Sequence, residues 1–237
     1  ITSTALQVPN ANPTTIAASS TDVNCFGAST GTITAVVANG GQPYTVTATN
    51  GTNTYTQSAY TPVSGGKQFI LSNVAAGTYT VSVVDAVTSC NPSTTVTITQ
   101  PASALAFTGV DTDITCNGAS TGAVDLTITG VGSTPATYTY AWTGPNSYTA
   151  TTQDITGLPA GTYSVVVTDA CGATATQSFS ITEPAVLSAT VTPTNITVCN
   201  GNNNGSIVVS NPTGGAGTYE YSINGTSWQP TGTFTSL

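Results

Sequence analysis

The chain has 237 residues, 38% hydrophobic and only 4% charged, with one lysine, no arginine, no histidine and a net charge of −8. Phosphate backbones and anionic membranes are bound by clustered Lys and Arg, so a lone Lys67 excludes nucleic acid and membrane surfaces as partners. Disorder pairs low hydrophobicity with high charge; here Thr, Ser, Asn and Gly carry the polarity, and 24 Gly and 13 Pro among β-branched residues indicate an all-β chain with many turns.

In chain order, residues 1–5 look like the tail of a preceding repeat's last strand. Cys25 then leads through a Gly-containing turn into the strand TITAVV, followed by the aromatic strand PYTVTA from Pro43. NVAAGTYTVSVVDA from Asn73 and TTVTITQP from Thr94 complete the set. The same order is written again as Cys116, AVDLTI, TYTYAW, GLPAGTYSVVVTDA and TQSFSITEP. A third version begins at Cys199 with SIVVS and TYEYSI, then stops at Leu237, in the place of Val74 and Leu158. Three repeats follow: 6–101, 102–184 and 185–237, the last lacking its final two strands. TEPAVLSA at Thr182 leaves almost no linker between repeats.

Within a repeat the period is two: Tyr79, Val81 and Val83 share one strand face, as do Tyr163, Val165 and Val167. Alternation of that kind marks a sheet with one buried and one wet face. Roughly seven short strands per repeat, separated by turn residues, predict tandem immunoglobulin-like β-sandwiches arranged head to tail. The Gly-x-Tyr entering the penultimate strand fits either a tyrosine corner or a plain core tyrosine. No run of 18 apolar residues and no basic leader segment occur, so neither a transmembrane helix nor a signal peptide is expected. The start at Ile1 without Met reads as a piece of something longer.

The stretch from CNGASTGAVDLTITG to LPAGTYSVVVTDACGATATQSFSITEP resembles the SprB-type repeat of Bacteroidetes gliding-motility adhesins and related large cell-surface proteins. The resemblance covers the second repeat end to end, the first with a longer middle, and the third as far as it goes. It implies secretion through the type IX system and a place on the outer surface of a Gram-negative cell. It also implies motility or secretion machinery as partners. The pattern departs from the family at the second cysteine, which follows DAVTS in one repeat and DA in the next.

Five cysteines without a C-x-x-C pair fit an oxidising, extracellular setting. Two connectivities compete. If strands alternate in direction, Cys25, Cys116 and Cys199 lie at the turn after the first strand, at one end of each sandwich, and Cys90 and Cys171 lie at the other end. A disulfide tolerates a Cα separation of roughly 4.4–6.8 Å, so that arrangement favours Cys25–Cys171 between repeats, with Cys116 and Cys90 directed to further repeats and Cys199 unpaired. The alternative, Cys25–Cys90 and Cys116–Cys171 within repeats, holds if the strand count is off by one.

Chemistry finds little purchase. A Ser or Cys nucleophile needs a base, and histidine is absent. No phosphate-binding glycine loop precedes a lysine, and no cofactor is expected. Asp111 and Asp113, on one face of a strand, and Asp169, after the penultimate strand, are candidate calcium ligands; the competing role is turn capping. Sequons at Asn50, Asn195, Asn204 and Asn224 indicate surface. Trp142 reads chiefly as a core aromatic. With Tyr148 and Trp228 it would supply ligand-stacking rings if the chain were a carbohydrate-binding module. The expected function is non-enzymatic: the shaft of a long secreted adhesin or filament, with further repeats of the same chain, surface polysaccharide or substratum, and lateral self-association as its contacts. The alternatives are that carbohydrate-binding module, or a passive spacer in a large secreted enzyme.

Overall fold

The computed structural model describes residues 12–86, 90–196, 201 and 203–237, and among them the regular elements are strands apart from one short 3₁₀ turn. The first repeat contains β1 (Thr15–Thr21), β2 (Gly31–Ala38), β3 (Tyr44–Thr49), β4 (Thr54–Gln57), β5 (Thr61–Val63), β6 (Gly66–Val74), β7 (Gly77–Asp85) and β8 (Ser93–Ile98). They form two antiparallel sheets, ordered β1-β2-β6-β5 and β4-β3-β7-β8. That strand order is the immunoglobulin-like arrangement of an ABED sheet facing a C′CFG sheet. The eighth strand, one more than the sequence indicates, comes from the longer middle of this repeat. β4 pairs with β3 in one sheet and β5 with β6 in the other.

Inward residues follow the period of two. β2 alternates buried and half-buried along its whole length. Ile33, Ala35, Val46, Ala48, Phe69, Tyr79, Val81 and Val83 are all fully buried between the sheets. Outward positions are largely Thr, whose branched Cβ suits the pleat without any charge. Lys67 sits 5.3 Å from the Tyr44 ring and 5.8 Å from that of Tyr60, so the single cation is held in cation–π contact.

The second repeat follows with β9 (Ala106–Thr112), β10 (Gly122–Gly130), β11 (Tyr138–Gly144), β12 (Tyr148–Ala150), β13 (Ile155–Leu158), β14 (Gly161–Asp169) and β15 (Thr174–Ile181). Its sheets are β13-β10-β9 and β12-β11-β14-β15. Tyr163 donates to the Pro159 carbonyl at 3.0 Å, as Tyr79 does to Ala75 at 3.1 Å, so both are tyrosine corners. The third repeat supplies β16 (Ser188–Thr194), β17 (Ser206–Thr213) and β18 (Thr233–Thr235), which form one sheet in that order.

By packing, the chain resolves into two compact units that cut across the sequence repeats. The first takes in the described residues of Ile1–Ala106 together with Ile128–Tyr138 and Thr168–Thr174. The second takes in Phe107–Thr127, Thr139–Val167 and Ala175–Leu237. The two short segments of the first unit are the β10–β11 loop and the β14–β15 turn of the second repeat, and they form the site described next.

Candidate functional site

Strand register decides which cysteines can meet. Gly31, at the start of β2, pairs with Val74, whereas Tyr44, at the start of β3, pairs with Asp85 at the end of β7. Cys25 precedes β2 and Cys90 follows β7, so the length of the sandwich separates them. Cys25 is instead joined to Cys171, 146 positions away, with a Cα–Cα distance of 5.8 Å. Backbone bonds line the same seam. Phe26 N–H donates to the Gly132 carbonyl at 2.9 Å, Thr134 N–H donates to the Asn24 carbonyl at 2.8 Å, and Cys25 and Ser133 form an antiparallel bridge. Cys171 is exposed and Cys25 half-buried. Cys90 and Cys116 are exposed, and Cys199 lies outside the described residues.

The turn carrying Cys25 is strapped to the end of its own repeat. Asp22 Oδ1 accepts from Thr99 N–H at 2.7 Å, Val23 N–H reaches the Thr99 carbonyl at 2.9 Å, and Gly27 N–H reaches Gln100 Oε1 at 2.9 Å. The second repeat reproduces the strap: Asp113 Oδ1 with Thr182 N–H at 2.7 Å, Ile114 N–H with the Thr182 carbonyl at 2.9 Å, and Gly118 N–H with Glu183 Oε2 at 2.7 Å. Cys116 is therefore presented as Cys25 is. The signal was present in sequence as D-x-x-C repeating in step with T-Q/E-P, but its meaning needs the fold, because strap and target are more than sixty positions apart.

At the other end of each sandwich lies a buried aspartate. Asp85 Oδ2 accepts from Thr14 Oγ1 at 2.7 Å and from Gly41 N–H at 2.9 Å. In the second repeat, Asp169 Oδ1 accepts from the amides of Cys171 at 2.9 Å and Ala173 at 3.0 Å. Its Oδ2 has no partner although the residue is only 6% exposed. The position matching Thr14 is Leu105, which offers no hydroxyl. Asp169 faces a cavity of about 70 Å3 lined by Cys25, Phe26, Leu105, Gly132, Cys171 and Ala173. Gly132 adopts φ +68, and a Cβ there would strike Asp169 Oδ2, so this loop needs glycine twice over.

Asp169 and Asp113 thus act on backbone amides, and Asp111 is exposed on β9. Among the described residues no three His, Cys, Asp or Glu come together to hold a metal. The candidate stacking rings diverge. Trp142 is 1% exposed, donates Nε1–H to the Thr152 carbonyl at 3.0 Å and packs on Phe179, so it faces the core and offers no ring to a ligand. Tyr148 is half-buried, edge-on to Tyr163 at 5.3 Å. Trp228 is 60% exposed.

A backbone hydrogen bond from Thr99 holds the Asp22 carboxyl below its ordinary value. Its contribution is present above about pH 4 and lost as pH falls through the lowered value. Burial pushes the hydroxyls of Tyr44, Tyr79 and Tyr163 up. Their contribution is complete below about pH 10 and lost as pH rises through the raised values. With no histidine in between, the thermal midpoint is expected to stay flat from about pH 5 to 9 and fall at both ends. A transition near neutrality, seen by calorimetry, would contradict this.

The strand order and the cystine seam define a chain of immunoglobulin-like, disulfide-bonded modules. The SprB repeat family model matches at residues 17–53, 108–147 and 190–227, and the chain carries SprB repeats. Such repeats occur in large cell-surface proteins, and this is a repeat region of that type. No curated protein matches the chain. Among solved structures, the three N-terminal domains of the bacteriophage RB49 Highly Immunogenic Outer Capsid protein (Hoc) align with 85% of this chain and 69% of that one, at 18% identity and TM-score 0.49. The BSP domain of a biofilm associated protein aligns with 64% of this chain and 27% of that one, at 17% identity and TM-score 0.24. The amphioxus IgVJ-C2 molecule aligns with 71% of this chain and 96% of that one, at 13% identity and TM-score 0.30.

Proposed function

We propose that these repeats form the load-bearing shaft of a long secreted adhesin used in surface attachment and gliding, on the outer face of a Gram-negative cell. The observation that carries the reading is the covalent link from the Cys25 turn of one repeat to the Cys171 turn of the next. A tether bears tension best when each junction is locked and no loose linker stretches first. Few charges also suit an exposed strand surface: a single lysine offers trypsin-like proteases one cleavage site. The buried Trp142 and the packed Tyr148 weigh against a carbohydrate-binding module. The machinery that would export and move the protein, and the substratum it would grip, follow from the family resemblance alone.

Single-molecule pulling tests the load-bearing part. With the cystine intact, the chain between its two cysteines is shielded, and reduction is expected to release extra contour length. At about 3.4 Å per residue, the 146-position separation amounts to about 500 Å. An equal contour length before and after reduction would remove the mechanical reading. Deleting whole repeats from the parent protein tests the adhesin part. Attachment should weaken while ligand affinity stays unchanged; a fall in affinity would favour carbohydrate binding by the repeats themselves. Loss of an enzymatic activity instead would favour a spacer.

A further inference from the structure

The seam cystine shares its surroundings with an unsatisfied carboxylate. Cys25, Cys171 and Asp169 line one cavity of about 70 Å3, and Asp169 Oδ2 is buried there without a hydrogen-bond partner. A buried polar atom left unpaired lowers stability and calls for a reason. Two differences between equivalent residues bear on the same cavity. Leu105 stands where the first repeat has Thr14, whose hydroxyl satisfies Asp85. Phe26 stands where the second repeat has Asn117, whose side chain donates to the Pro184 carbonyl at 2.9 Å. Each puts an apolar wall on the cavity where the equivalent position carries a polar group. Charges act on one another more strongly across such walls than through water.

Cysteines that exchange readily sit beside a cation or a helix N-terminus, which stabilises the thiolate. The chain has no His or Arg, and Lys67 is engaged with the Tyr44 and Tyr60 rings. Among the described residues no α-helix offers an N-terminus. The amides around the cavity are already committed. Those of Cys171 and Ala173 donate to Asp169 Oδ1, that of Phe26 to the Gly132 carbonyl, and that of Gly132 to the Ser103 carbonyl at 3.0 Å. Against Cys171 Sγ lies an acceptor instead, the Asn24 carbonyl oxygen at 3.6 Å.

We propose that Asp169 is an electrostatic guard of the Cys25–Cys171 bond, a carboxylate kept unpaired beside the sulfurs so that small thiols reduce the bond slowly. The reaction it opposes is thiol–disulfide exchange. A thiolate attacks Sγ of Cys171, the exposed partner; a mixed disulfide forms, the Cys171–Cys25 bond breaks, and the electron pair leaves on Cys25 sulfur, which takes a proton from solvent. A second thiolate then releases Cys171, so two small thiols are oxidised to their disulfide and the cystine is reduced. In the first step one anion approaches the cavity and another forms on its wall. A neighbouring carboxylate disfavours both, and a poorer leaving thiolate slows exchange. The inference rests on the seam alone, so it and the mechanical reading can fail separately.

The test measures reduction of the full chain by thioglycolate, mercaptoethanol and cysteamine, whose tails are anionic, neutral and cationic. Samples are quenched by alkylation, Cys25 is mapped by mass, and each rate is expressed per thiolate. Asp169→Asn keeps an oxygen for the two amides and removes the charge. It is expected to speed reduction by thioglycolate at least about ten-fold and by cysteamine only about two-fold, with mercaptoethanol between them. Asp85→Asn makes the same change at the matching site of the first repeat, at the far end of that sandwich from Cys25, and should leave all three rates unchanged. That control separates the guard from general loss of stability. Equal acceleration with all three thiols would mean that the variant merely loosens the seam, and would overturn the proposal. So would an unchanged or slower reduction of Asp169→Asn, or an acceleration of the same size in Asp85→Asn.

Discussion

Replacing Cys25 and Cys171 together with serine is expected to lower stability by about 3–5 kcal/mol. The bond closes a loop of 146 positions, and removing so long a loop from the unfolded ensemble is nominally worth about 5 kcal/mol in the chain-entropy view. The seam bonds from Phe26 to Gly132 and from Thr134 to Asn24 persist, so each sandwich should stay folded while the link between them weakens. Denaturant titration would show this as a lower midpoint, and mild reductant should reproduce it because Cys171 is exposed. Cys116→Ser, which removes a free surface thiol, should stay within about 0.5 kcal/mol of the parent. A double mutant that loses less than about 1 kcal/mol would mean that the backbone seam alone couples the repeats.

The second large effect separates two equivalent aspartates. Asp85→Ala leaves the Thr14 hydroxyl and the Gly41 amide without this buried acceptor, and is expected to cost about 3 kcal/mol. Asp169→Ala also frees two amides, but they belong to Cys171 and Ala173, both exposed, where water replaces the carboxylate. It removes a buried oxygen that had no partner as well. A loss of only about 1 kcal/mol is expected there. Equal losses in matched denaturation curves would show that the missing Thr14 counterpart at Leu105 has no energetic consequence.

The strands were legible because alternation at residues such as Tyr79, Val81 and Val83 survives any surface composition, and because the same order recurs. The tyrosine corners at Tyr79 and Tyr163 left a weaker trace: Gly-x-Tyr is compatible with a core ring whose hydroxyl goes elsewhere. β5 escaped notice because three residues with a proline carry no periodicity. Asp113 looked like a metal ligand because a carboxylate beside a turn has several uses. Only the nearness of Thr182, a long-range fact, selects among them. The same limit applies to Asp85 and Asp169, whose environments differ through Thr14 and Leu105 on a distant strand.

The span of the Cys25–Cys171 bond imposes an order on biogenesis. Cys25 emerges long before its mate, so it must wait as a thiol while most of the next module is synthesised and shaped. Closure then certifies two neighbours at once, since the sulfurs meet only when the leading turn of one and the trailing turn of the other are both in place. A polymer of such units would carry its own proofreading mark, and an unfinished or misfolded member would betray itself by an unoxidised pair.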